Sequence, residues 1–108
     1  MNKEYEIMKT ASGKMMKVFP IIECFDKTTE QLVKEISLHV TDMDDLRYWL
    51  IQNFSWGKEQ PLIEGVDLDS KTYSQMIKFI DPKRLPSLDF SKYGYQLSFE
   101  YLPFDGTS

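Results

Sequence analysis

The chain has 108 residues, of which 42% are hydrophobic and 14% aromatic, enough apolar side chain for one packed core and too much for a disordered polypeptide. Seventeen acidic residues against 13 basic ones leave a net charge of −4, which argues against nucleic acid as a ligand because phosphate binding draws on clustered Lys and Arg. A lone cysteine, an N-terminus without an apolar leader and no apolar run near the ~18 residues of a membrane span point to a cytoplasmic protein with neither disulfide nor membrane anchor.

Residues 1–14 are polar and include Thr10-Ala11-Ser12-Gly13. They read as a flexible tail, or at most as a short edge strand around Tyr5 to Met8, ahead of a single domain over residues 15–108. From Met16 to Phe25 the β-branched and aromatic residues suit a strand. Pro20 has no amide hydrogen for a ladder, so this strand is expected to start after it or to lie at an edge there. Asp26-Lys27-Thr28-Thr29-Glu30 has the length and the side chains of a hairpin turn. In the strand that follows, Leu32, Ile36, Leu38 and Val40 share one face with Lys34 as the exception, and Glu35, Ser37, His39 and Thr41 share the other.

Thr41 is a good cap for a helix over residues 42 to 53, with Asp42, Asp44 and Asp45 at the positive end of its dipole. Met43, Leu46, Trp49 and Leu50 form its apolar stripe, leaving Arg47 and Gln52 outward. Residues 53 to 65 read as an irregular connection. Asp69 or Ser70 then caps a second helix carrying Tyr73, Met76, Ile77 and Ile80 at helical spacing, and Asp81-Pro82 stops it. Tyr93, Tyr95, Leu97, Phe99 and Tyr101 alternate along a final strand. The order β-β-α-α-β implies an α+β fold, a small antiparallel sheet with both helices on one face.

Catalytic chemistry has little to stand on in this sequence. His39 is the only histidine and lies on the polar face of its strand; Cys24 shares a face with Val18 and Ile22 and reads as a small buried hydrophobe. One Cys and one His cannot make a four-ligand zinc site. Asp42, Asp44 and Asp45 resemble the start of a calcium loop, but the sixth and twelfth positions hold Arg47 and Asn53 where Gly and Glu are needed. The glycines are isolated, so no phosphate loop is present, and the expectation is a non-enzymatic protein without cofactor or metal.

Binding has more support. Between residues 42 and 69 there are seven acids against Arg47 and Lys58, and the aromatic Phe54 and Trp56 stand among them. Carboxylates can steer a basic partner while a tryptophan anchors it, which makes Asp42, Asp44, Asp45, Trp56, Glu59, Glu64, Asp67 and Asp69 the candidate contacts. Each has a blander explanation: Trp56 can plug the core, Asp67 and Asp69 can serve a helix start, and scattered acids can simply keep the protein soluble.

The hairpin Ile22-Glu-Cys-Phe-Asp-Lys-Thr-Thr-Glu-Gln-Leu-Val-Lys-Glu-Ile-Ser-Leu38, the pair Asp45-Leu46 and the closing Tyr93-Gly-Tyr-Gln-Leu97 resemble the immunity proteins of bacterial contact-dependent growth inhibition systems. The resemblance covers roughly residues 20 to 102. It implies a cytoplasmic antitoxin that binds the C-terminal domain of a cognate toxin, often a nuclease, and covers its basic active or substrate surface. The alternative is a small adaptor or structural interaction domain with no toxin partner.

Overall fold

The computed structural model describes residues 4–54 and 65–103. Strand β2 (Met15–Asp26) is the spine of an antiparallel sheet, and strand β5 (Tyr93–Pro103) runs along one of its edges from the Met16↔Pro103 pair to the Asp26↔Tyr93 pair. The other edge of β2 is shared end to end. Strand β1 (Glu6–Lys9) pairs with residues 15–18, and strand β3 (Leu32–Ser37) pairs with residues 21–25. Strand β4 (Val66–Leu68) lies on the far side of β5, opposite Tyr95–Leu97. Helix α1 (Met43–Phe54) separates β3 from β4, and helix α2 (Ser70–Met76) continues into a 3-10 turn at Ile77–Phe79, with another at Pro82–Arg84.

The alternation of β2 and β5 explains where the core lies. Val18, Ile22 and Cys24 face the same way as Tyr95, Leu97 and Phe99, and all six are buried. Val66 and Leu68 of β4 extend this face, and Met43, Leu46, Trp49 and Leu50 of α1 with Met76 and Ile80 complete a single cluster on it. The α+β class and the sheet with two helices therefore stand. Trp49 reaches both Phe54 and Phe79, at 5.4 and 6.2 Å between ring centroids, linking α1 to the end of α2. Tyr73 and Tyr95 hold the segment before β5: the Tyr73 hydroxyl donates to the Pro86 carbonyl at 2.8 Å, and the Asp89 amide donates to the Tyr95 hydroxyl at 2.9 Å.

Several expectations need correction. Of the two readings of the first residues, the edge strand holds for Glu6–Lys9, and Arg47 of α1, expected to face outward, turns to it. Its Nε and an Nη donate to both carboxylate oxygens of Glu6 at 2.8 and 2.7 Å, which clamps β1 to the helix. Pro20 does not start β2 but lies within it at an open stretch of edge, the second of the two expectations for it. A strand residue turns its amide and carbonyl toward the same neighbour, and the Pro20 carbonyl accepts from the Leu38 amide, so the missing N–H faces the interval where β1 has ended and β3 has not begun. β4 follows the irregular connection expected over residues 53 to 65 and has no counterpart among the expected elements, its three residues being too few to show a period.

Leu32 is the exception on β3. The register shifts between Cys24↔Lys34 and Phe25↔Leu32, leaving Val33 unpaired, so Leu32 moves to the outer face and is 48% exposed. β3 also stops at Ser37, earlier than its alternation suggests. Val40 instead bridges Ile80, flanked by the Asp81 amide on the His39 carbonyl and the Thr41 amide on the Phe79 carbonyl. Thr41 is thus engaged elsewhere, and Asp42 caps α1 by accepting from the Asp44 amide at 2.9 Å. The second helix winds as α only to Met76, and its last turn tightens so that Ile80 can meet Val40.

Candidate functional site

The face of the sheet away from the helices carries polar and charged side chains that packing does not explain. Glu23 lies between the buried Ile22 and Cys24, Gln96 between Tyr95 and Leu97, and Asp67 between Val66 and Leu68, so all three turn outward. The register sets them in one row across four strands: Glu35 opposite Glu23, Glu23 opposite Gln96, and Gln96 opposite Asp67. Cross-strand neighbours stand about 4.5–5.5 Å apart at Cβ, so Glu23 and Glu35 are directly opposed like charges. Among the described residues neither these two nor Asp67 has an ion-pair partner. Gly65 leaves room for the Gln96 side chain, with which an added Cβ would collide.

Further along the same face the row gives way to Ile21 between Ser37 and Ser98, then to Phe19 opposite Glu100, then to Lys17 between Ile7 and Leu102. The Tyr5 ring packs against Phe19 at a tilt of 45°, with centroids 5.3 Å apart, and the Lys17 ammonium lies 4.9 Å from the Tyr5 ring centroid. The surface is therefore acidic at one end and apolar with an acidic margin at the other.

The residues singled out from sequence do not all join it. Trp56, Glu59 and Glu64 lie outside the described residues. Asp67 belongs to the row. Asp42, Asp44 and Asp45 begin α1 on the opposite layer of the molecule, with Asp44 and Asp45 exposed and Asp42 engaged as the cap. Asp69 caps α2 in a reciprocal box with Thr72: its carboxylate accepts from the Thr72 amide at 2.7 Å while the Asp69 amide donates to the Thr72 hydroxyl at 3.2 Å. The Thr72 hydroxyl also donates to this carboxylate, and the hydroxyl and amide bonds from Thr72 hold the Asp69 carboxyl below the ordinary aspartate range, the hydroxyl contributing most. Among the described residues, Asp67 and the carboxylates at the start of α1 stand on different layers and do not form one continuous anionic surface.

Sequence reasoning missed Glu23, Glu35 and Glu100 because each belongs to a strand far from the acid-rich segment. Their polar-face positions were readable from alternation, but the row exists only through register. The structure also supplies His39 with a neighbour: an Arg84 Nη lies 3.1 Å from His39 Nδ1, and Arg84 Nε lies 3.4 Å from Asp81. Cys24 is buried in the core, and among the described residues no three His, Cys, Asp or Glu side chains converge as a metal site. No helix among these residues is long and apolar enough to cross a membrane.

Residues 20–98 match the family described as a domain of unknown function, DUF7683. The chain belongs to that family. No curated protein and no solved structure matches it. The DUF7683 match spans all four members of the Glu35–Glu23–Gln96–Asp67 row and stops short of β1, Glu100 and Leu102. The family's description names no activity.

Proposed function

We propose that this DUF7683 protein is an immunity protein that binds a cognate toxin domain, a nuclease by preference, and neutralises it by covering its basic active or substrate surface with the outer face of the sheet. It works by occupancy and not by catalysis, in the cytoplasm. The observation that carries the reading is the acidic row. Like charges directly opposed across strands oppose sheet formation, and solubility could be met by carboxylates placed anywhere. A cationic partner gives the Glu23–Glu35 pair the counter-charge that the described residues do not, and a nuclease must display such a surface to hold phosphate. The resemblance of the hairpin and closing strand to immunity proteins supports the same direction.

The test is genetic and then biophysical. Co-expression with the toxin domain encoded beside the gene should rescue growth, and the two proteins should co-purify. The combined Glu23→Gln, Glu35→Gln and Asp67→Asn change should weaken the complex by an order of magnitude or more. Neutralising Asp42, Asp44 and Asp45 on the opposite layer should do much less. Absence of rescue by a folded protein would sink the proposal; equal effects of the two triple variants would remove the sheet face as the contact.

A further inference from the structure

The interval between β1 and β3 along β2 leaves a cavity of about 300 Å³ in the outer face. Its origin is topological. Neither edge strand covers β2 near Pro20, the chain leaving β3 passes over the interval as Ser37, Leu38 and His39, and Arg84 closes it from the 3-10 turn after Asp81. Phe19, Ile21 and Leu102 form apolar walls, and Glu4 and Glu100 stand in its lining.

Charge decides what such a space would hold. Arg84 is already engaged by Asp81 and His39, whereas Glu4 and Glu100 have no ion-pair partner among the described residues. The uncompensated charge is therefore negative, beside an aromatic ring and aliphatic walls. The volume lies at the low end of small-ligand pockets, room for one long side chain. A guanidinium satisfies all of this at once: its planar cation stacks on Phe19, its donors fork to a carboxylate, and its methylene stem packs on Ile21 and Leu102.

We propose that the cavity receives a single arginine side chain of the protein partner and acts as the anchor point of the sheet face; this rests on the basic-partner reading above. Its test needs no toxin. The isotope-labelled protein is titrated with N-acetyl-arginine methylamide and, in parallel, with N-acetyl-glutamate methylamide, while backbone NMR shifts are followed. The arginine probe should shift Phe19, Ile21, Glu100 and Leu102 together, and the glutamate probe should not. Glu100→Gln should weaken arginine-probe binding about tenfold, the loss of one charge-assisted contact, with the rest of the spectrum unchanged. Arg84→Ala should leave binding equal or tighter. Probe shifts elsewhere, indifference to Glu100→Gln, equal binding of the glutamate probe, or loss of arginine binding in Arg84→Ala would each overturn the assignment. Because the probe is read on the isolated protein, failure of toxin rescue leaves this result standing, and failure here leaves the acidic row to be judged by its own variants.

Discussion

Glu30 shows how one residue stores strain in an otherwise relaxed hairpin. It occupies the left-handed region at φ 62°, where a side chain costs roughly 1–2 kcal/mol, and the turn holds it there. The Asp26 carboxylate accepts from the Thr28 and Thr29 amides at 2.7 and 3.0 Å, and the Glu30 amide donates to the Asp26 carbonyl at 2.8 Å. Glu30→Gly should therefore raise stability by up to about 1 kcal/mol, read as a higher denaturant midpoint; a lower midpoint would mean that the side chain contributes a contact. The same turn has a pH signature. Hydrogen bonds lower the carboxyl of Asp26, chiefly from the Thr29 and Thr28 amides, as they do that of Asp69 from Thr72 and that of Asp89 from Ser91. A lowered native value means that the unfolded chain binds the proton first. Their stabilisation is whole above the ordinary aspartate value of about 3.9 and is lost as pH falls through the lower native values. Replacing the three with asparagine should flatten the acid limb of the stability curve.

Among the elements, β1 depends on α1. Four residues of edge strand contribute little by themselves, and the Glu6–Arg47 fork, with each side chain about 20% exposed, ties them down. Arg47→Ala should cost about 1–2 kcal/mol and should speed amide exchange over residues 6–9 more than elsewhere; uniform exchange would show that β1 is held by its ladder alone. β3 supplies the contrast between face and register. Leu50→Ala opens a cavity in the core, where Leu50 is fully buried, and should cost about 2–5 kcal/mol. Leu32→Ala should cost well under 1 kcal/mol, since the register shift carries Leu32 to the outer face. Equal losses would place Leu32 back in the core, where its alternation with Ile36 and Leu38 suggests it belongs.

At the scale of the whole molecule, one face of the sheet makes the core and the other turns outward. The opposed Glu23 and Glu35 imply a trade between stability and binding: Glu23→Gln should stabilise the free protein by about 0.2–1 kcal/mol while weakening the complex. Thermal melts with and without partner read both signs, and stabilisation of both states would identify the row as incidental. Association with a basic partner should also slow as salt rises, since charges more than about 8 Å apart are screened at physiological ionic strength.

Alternation and helical spacing along the chain were sufficient for the α+β class, for β2 and β5, for the apolar stripes of α1 and α2, and for Asp69 as a cap, because each depends on neighbours within a few residues. What passed unread depends on partners far along the chain. β4 is a strand because β5 offers it an edge, and the alternative of an edge strand near the start of the chain is decided for β1 by its pairing with residues 15–18 of β2. Leu32 faces outward because Val33 is left unpaired. The candidate surface follows the same division: polar-face positions were legible one strand at a time, but their assembly was not. Only pairing register brings Glu35, Glu23 and Asp67 into one row and sets Asp42, Asp44 and Asp45 on the other layer, because register is a relation between strands and not a property of any one of them.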